Sequence, residues 1–481
     1  MNFKMIRYIL GWILVFESIF LAVPSLTAVI YGETKALISF LVPLAVCLAL
    51  GWLLMRKKPE NTVLYSREGF VIVSLSWIVL SIFGAIPLTL SGAIPSYIDA
   101  LFETVSGFTT TGATILTEVE SLPKAVIMWR SFTHFVGGMG VLVFIMAFIP
   151  LSGGQNLHIM KAESTGPSVS KLVPRIKTTA MILYTLYFSL TLLQFILLLA
   201  GGMSVFESIN TALATAGTGG FGFKNDSFAS FSPYLQVVVT VFMLIFSVNF
   251  SCYYLVLRGK IKDFFNSETR LFLLIVIAST AAITANVFMS GAFTNVEEAL
   301  RHAAFTVASI ISTTGFATTN YDLWPEFSKI IIVLLTFCGA CAGSTCGGIK
   351  LSRLMIFGRN AKNELNGLLH TGQVKKVMID GRAVDKSTVK AINAFMAWYI
   401  FLFAASLLIL SFKGHSFLTN FTAIAATLNN VGPGLDAVGP AGNFAFYSIP
   451  SKIVLIFDML AGRLELFPVL LLFNPATWKK G

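Results

Sequence analysis

The chain has 481 residues, of which 56% are hydrophobic and only 12% charged, with 43 phenylalanines. A water-soluble protein of this length needs far more charge on its surface, so soluble classes are excluded. The net charge of +11 would suit a nucleic-acid partner, but the basic residues are sorted by chain segment in a way that serves membrane topology instead.

Apolar runs of at least twenty residues recur along the chain, each long enough to cross a ~30 Å hydrocarbon core as a helix. The first covers 8–31, behind Lys4 and Arg7. It is too long for a signal peptide, lacks a clear small-residue cleavage site and precedes another span, so it is expected to stay in place. Spans follow at 36–55 and 70–92, then an apolar helix-patterned stretch at 96–108 that is too short to cross. The same pairing recurs with the span 181–202 and the short stretch 205–216, and two more short stretches lie at 296–311 and 416–428. The last span is read at 454–473. Alternating barrel strands would look different, so the expected fold is an all-α polytopic membrane protein. The five cysteines, Cys47, Cys252, Cys338, Cys341 and Cys346, sit in apolar or Gly-rich stretches, unlike a secreted disulfide framework.

Of the 34 Lys and Arg, 25 fall in segments on one side of this arrangement, among them Lys161, Lys171, Arg175 and nine between Lys350 and Lys390. Seven fall on the other side, and Arg130 and Arg463 lie within spans. Basic loops stay cytoplasmic, so both termini are expected in the cytoplasm and the short stretches on the outer side.

Each short stretch ends in a Gly- and Thr-rich segment. The four read Thr109-Thr110-Thr111-Gly112-Ala113, Gly217-Thr218-Gly219-Gly220-Phe221, Ser312-Thr313-Thr314-Gly315-Phe316 and Asn429-Asn430-Val431-Gly432-Pro433. Aligned on Gly112, Gly220, Gly315 and Gly432, each has a hydroxyl or amide two residues earlier and a small residue (Ser106, Ala214, Ser309, Ala426) six residues earlier. The repeating unit is span, re-entrant pore helix, filter loop, span, used four times after two leading transmembrane helices, around a pseudo-fourfold pore. The expected bounds are 1–58 for the leading helices, 59–152, 153–262 and 263–358 for the first three units, 359–389 for a cytoplasmic linker and 390–481 for the fourth unit.

Extended backbone at membrane depth is tolerated only where it is buried or lines a wet cavity. Four such segments on one axis present rings of carbonyl oxygens that can replace the water shell of a monovalent cation. Glycine lets the backbone turn carbonyls inward, and the pore helices aim their partly negative C-termini at the site. Nearly neutral loops suit K⁺ better than Ca²⁺ or Mg²⁺, which would call for carboxylates. One such motif alone would read as close packing between membrane helices; four at matching positions read as a selectivity filter. The expected K⁺-binding residues are Thr110, Thr111, Gly112, Thr218, Gly219, Gly220, Thr313, Thr314, Gly315, Asn430, Val431 and Gly432.

The TTTGAT, STTGFATT, CAGSTCGG and AGRLEL segments resemble the Trk/Ktr/HKT superfamily of cation transporters, and the likeness covers essentially the whole chain. It implies K⁺ uptake across a bacterial cytoplasmic membrane. It also implies a homodimer with one pore per protomer and a ring-forming, TrkA-type nucleotide-binding partner in the cytoplasm. The second loop, Thr218-Gly219-Gly220, and the fourth, Asn430-Val431-Gly432, depart from the TTG pattern of the other two.

The second span of the third unit is interrupted at 338–348, a stretch holding three cysteines. A zinc site would want a fourth ligand nearby, and the phosphate-loop order is absent. Small-residue packing is one alternative. The other is a flexible intramembrane loop that gates the pore through Gly339, Gly343, Ser344, Thr345, Gly347 and Gly348, as the resemblance also implies. Arg463 is costly inside a span, so it faces either a partner such as Glu465 or the pore; the resemblance favours the pore. Arg130, near an outer span end, is expected to snorkel to the interface. Glu17 receives no role. The histidines (His134, His158, His302, His370, His415) form no i,i+4 pair and no nucleophile motif is present, so neither an enzyme, a transition-metal site nor an organic cofactor is expected. An organic-solute carrier would show twofold repetition.

Overall fold

The computed structural model describes residues 1–61, 64–138, 140, 176–369 and 376–479. The expected boundary at 152/153 and the basic residues Lys161, Lys171 and Arg175 lie outside them. Two leading helices, α1 (Phe3–Ile30) and α2 (Thr34–Met55), form a hairpin. The first unit follows as α3 (Ser66–Leu90), α4 (Tyr97–Phe108) and α5 (Lys124–Gly138). The second is α6 (Ile176–Ala200), α7 (Val205–Ala216), α8 (Pro233–Ser247) and α9 (Phe250–Leu257). The third comprises α10 (Ser267–Met289), α11 (Val296–Ile311), α12 (Glu326–Phe337) and α13 (Leu351–Leu369). The fourth comprises α14 (Lys386–Ser411), α15 (Phe417–Leu428), α16 (Ile449–Arg463) and α17 (Phe467–Leu472), with a last turn, α18 (Pro475–Trp478). Six of these helices are long and apolar enough to cross a membrane.

The short helices α4, α7, α11 and α15 start alike. Ser96, Ser204, Asn295 and Ser416 each cap the helix by accepting a backbone N–H from Asp99, Glu207, Glu297 and Thr419. Such a cap satisfies one of the four orphan donors at a helix start. At twelve residues a helix is about 18 Å long, roughly half of a bilayer core, so α4, α7 and α15 enter without crossing.

Among the described residues three breaks interrupt the spans, where one was expected. The interruption between α12 and α13 falls at the anticipated place. A second lies between α8 and α9, whose axes differ by 92°. The third ends α16 at Arg463, where Glu465 and Leu466 take left-handed φ values of 58° and 66°, so the span read as continuous over 454–473 is broken. Regular structure also enters the linker expected over 359–389. α13 runs through Leu369, and a two-stranded hairpin, β1 (Met378–Ile379) with β2 (Arg382–Ala383), precedes α14. Its Asp380-Gly381 turn has positive φ at both residues, the geometry favoured by two-residue hairpins.

Candidate functional site: a fourfold ring of loops and a broken span

The four short helices end in the same hydrogen-bonded geometry. The N–H groups of Thr111, Gly219, Thr314 and Val431 reach back to the carbonyls of Ser106, Ala214, Ser309 and Ala426 at 2.9, 3.0, 2.9 and 2.8 Å. These are the small residues six places before the aligned glycines. This six-to-one closure requires a left-handed residue one place earlier, normally glycine. Here that residue is Thr110, Thr218, Thr313 or Asn430, with φ of 56°, 55°, 56° and 55°. The strain is about 1–2 kcal/mol per residue. Three of these side chains use their position. Thr110 Oγ1 accepts from Arg463 at 3.2 Å, Thr313 Oγ1 accepts from the Gly347 N–H at 2.9 Å, and Asn430 Nδ2 donates to Thr111 Oγ1 and the Met459 carbonyl, each at 2.9 Å. Glycine would relax the backbone and lose every one of these contacts.

Two residues on, Gly112, Gly220, Gly315 and Gly432 are left-handed again. Each glycine lies against the next loop in chain order. A Cβ on Gly112 would fall within 3.0 Å of the Gly219 oxygen, on Gly220 within that of Thr314, on Gly315 within that of Val431, and on Gly432 within that of Thr111. The loops therefore close as a ring, first to second to third to fourth to first, and a side chain at any of the four glycines would collide with a neighbour's backbone. Among the described residues, none of the carbonyls of 110–112, 218–220, 313–315 and 430–432 accepts a hydrogen bond. Buried carbonyls left this way are costly unless something else fills their lone pairs.

A second ring of contacts lies farther out. The Val119 N–H donates to Asn225 Oδ1, Phe228 N–H to the Ala317 carbonyl, Asp436 N–H to Asp322 Oδ1, and Phe444 N–H to the Thr114 carbonyl. The Asn225 amide holds the Glu118 carboxyl below its ordinary range, as the Ser416 and Thr419 hydroxyls do for Asp436. Burial pushes Asp322 up.

Behind the first two loops stands a buried scaffold that the sequence did not reveal. Arg130 is buried, in contrast to the expected snorkelling position: it pairs with Glu103 on α4 at 2.9 Å and donates to the Gly222 carbonyl at 3.1 Å. Glu103 also accepts from the Ile115 N–H at 3.0 Å, so one ion pair ties the exits of two loops. An acid inside a short apolar helix and a base inside the next span are each expensive alone, and their pairing was the available signal.

The segment between α12 and α13 packs directly against the ring. Gly347 meets Thr313 as above, and its missing Cβ would strike Asn430. Cys341 N–H donates to the Ser247 carbonyl at 3.1 Å and Phe250 N–H to the Gly343 carbonyl at 3.2 Å, so the segment rests on the elbow between α8 and α9. Ser344 Oγ donates to the Cys341 carbonyl at 2.7 Å, and Gly343 and Gly348 supply left-handed turns. A Cβ on Gly339 would collide with the Ile349 carbonyl. Lys350, counted among the topology-setting charges, is buried here and donates to the Cys346 carbonyl. Glu268, at the start of α10, accepts from the Ala342 and Ser352 N–H groups at 2.8 and 3.0 Å, holding both limbs of the segment. An acid in the first turn of a helix is common, so nothing in the sequence sets Glu268 apart.

Arg463 connects three parts. Its guanidinium donates to the Thr345 carbonyl at 2.8 Å, to the carbonyls of Gly137 and Gly138 at the end of α5 at 2.6 and 2.9 Å, and to Thr110. Glu465 pairs with Arg353. Glu17 is fully buried in α1 with its carboxylate against Gly84, and among the described residues neither oxygen has a hydrogen-bond partner.

Comparison with known proteins agrees with this architecture. The family described as TrkH, cation transport protein, matches residues 38–480. The Trk system potassium uptake protein TrkH of Escherichia coli (strain K12) is 35% identical over 493 residues, covering 100% of both chains. TrkG of the same organism is 32% identical over 484 residues, covering 99% of each. A crystal structure of the potassium transporter TrkH from Vibrio parahaemolyticus superposes with a TM-score of 0.89 at 32% identity over 100% of both chains. A ring of four re-entrant loops, a match along nearly the whole sequence and a shared full-length fold lead to one conclusion: this chain belongs to the TrkH family of cation transport proteins.

Proposed function

We propose that this chain takes up potassium through the ring of four loops, with K⁺ as the transported ion. The observation that carries the reading is the closed ring of glycine-to-carbonyl approaches, lined by carbonyls that accept no hydrogen bond among the described residues. A dehydrating monovalent cation supplies what those oxygens lack. Thr110–Gly112, Thr218–Gly220, Thr313–Gly315 and Asn430–Gly432 are the filter, and the helices α4, α7, α11 and α15 point their negative ends toward it. The four units follow the bounds read from the sequence, and the segment 338–348 with Arg463 is the gate. The relatives' names support potassium as the cargo.

The protein works in the bacterial cytoplasmic membrane with both termini in the cytoplasm, as a homodimer regulated by a TrkA-type nucleotide-binding ring. The charge asymmetry supports the orientation.

The test is the reversal potential of purified protein in planar bilayers under K⁺ and Na⁺ gradients. Gly112→Ser and Gly315→Ser, which push a side chain into the neighbouring loop, are expected to lower the K⁺/Na⁺ permeability ratio while the protein remains folded. Unchanged ratios in both would remove the filter assignment.

A further inference from the structure

The second loop lacks side chains where its counterparts have them. In the first and third loops, hydroxyls pair behind the backbone: Thr109 with Thr111 at 2.7 Å and Ser312 with Thr314 at 2.6 Å. In the fourth, Val431 is fully buried in the same register. The second loop has Gly217 and Gly219 at these two places. A Cβ on Gly219 would lie within 3.0 Å of three atoms, all of them in the imidazole ring of His134. A Cβ on Gly217 would collide with the His134 carbonyl, so the glycine is what lets α5 come close enough to deliver that ring.

His134 is fully buried and makes two backbone contacts. Nδ1 faces the Gly107 carbonyl at 2.8 Å, and Nε2 accepts the Phe221 N–H at 3.2 Å. A carbonyl opposite Nδ1 demands a proton there, and an N–H opposite Nε2 demands a lone pair, so the contacts select one neutral tautomer. One ring thereby joins the last turn of the first pore helix to the exit of the second loop.

We propose that His134 is a specificity-determining positioning residue: borrowed from the first unit, it fills the space behind the second loop that side chains fill behind the other three. The inference rests on the filter reading above. It makes His134 and Gly219 an interdependent pair, because the imidazole requires the glycine and the glycine requires the imidazole.

Four variants test it by K⁺/Na⁺ reversal potential in bilayers, with monodispersity checked in parallel: His134→Ala, His134→Gln, Gly219→Val, and His134→Ala combined with Gly219→Val. His134→Ala leaves a gap and removes two neutral hydrogen bonds, so the permeability ratio should fall about tenfold. His134→Gln, whose amide can both donate and accept, should retain most of it. Gly219→Val alone should collide with the ring and lose selectivity, whereas the double variant, which rebuilds the pattern of the fourth loop, should recover it. A folded His134→Ala protein with wild-type selectivity overturns the inference, provided Gly112→Ser lowers the ratio; if neither changes it, the filter reading itself fails. If His134→Ala does not fold, the comparison of Gly219→Val with the double variant decides. A double variant no more selective than the single overturns the inference.

Discussion

Arg463 illustrates how one residue with two alternative readings in the sequence can hold several neighbours at once. A pore-facing charge and a charge paired with a neighbour such as Glu465 were the two readings of a guanidinium in a span. In the structure its fork spans Thr345 in the segment 338–348, Thr110 in the first loop and the end of α5. Hydrogen bonds to charged groups contribute about 1.5–3 kcal/mol each. Arg463→Ala therefore loses the Thr345 tether and the charge together, and K⁺ uptake per folded protein should rise. Arg463→Lys keeps the charge but cannot fork to four acceptors. An intermediate flux in the lysine variant is expected from the tether; flux equal to wild type would assign the whole effect to charge. Uptake in a K⁺-uptake-deficient host, normalised to folded protein, makes the measurement. The aligned glycines were legible in the sequence because collision leaves only one residue type possible. The left-handed Thr110, Thr218, Thr313 and Asn430 were visible as hydroxyl or amide positions, but their strain was not, since a threonine in a sequence does not announce its φ. His134 escaped because its meaning lies in a collision with Gly219, 85 positions away in the chain.

Among the elements, the short helices were the most legible. Their cap residues, their length and the glycine four residues past each helix end all point the same way, and local agreement of that kind is what sequence reading detects. Breaks in spans were less so. The interruption at 338–348 carries four glycines and was found, whereas the elbow at 247–250 carries none and was not. That elbow is defined by what rests on it: Cys341 and Gly343 take their backbone partners from Ser247 and Phe250. The segment 338–348 is consequently held from several sides, and among the described residues Glu268 is the anionic side chain that accepts from both of its limbs. Glu268→Ala should free the segment, raise basal K⁺ flux several-fold and increase hydrogen exchange at 339–350 without altering the K⁺/Na⁺ ratio. Glu268→Gln, which keeps one acceptor oxygen, should lie between. A decrease in flux in both variants would mean that the anchor holds the pore open rather than shut.

At the scale of the whole molecule, two closed circuits hold the four units together, the inner one of glycines against carbonyls and the outer one of hydrogen bonds between loops. Fourfold repetition in the sequence foretold that the loops would meet. It did not foretell the inequality between them: the first unit lends the second a histidine, the third carries the broken segment 338–348, and the fourth supplies the arginine. A single chain permits such division of labour, which identical subunits could not adopt. The hairpin β1–β2 belongs to this scale as well. Asp380, at its tip, accepts from the backbone N–H of Ser267 at 2.9 Å and from its hydroxyl, and Arg359 on α13 donates to the Met378 carbonyl. Asp380→Ala should blunt the response of K⁺ flux to a nucleotide-loaded regulatory partner while leaving the K⁺/Na⁺ ratio untouched, measured in proteoliposomes with and without that partner. A full response would detach the hairpin from regulation.

Ser267 and Glu268 are consecutive residues, one gripped by the hairpin and the next gripping the gate. Mechanically, the two grips share a single pivot at the first turn of α10. A displacement of the hairpin would pass from the Asp380 carboxylate through one peptide unit to the Glu268 carboxylate, and from there to the segment 338–348. Such a linkage would act as a crank rather than a relay, because both grips sit on adjacent residues of one helix end.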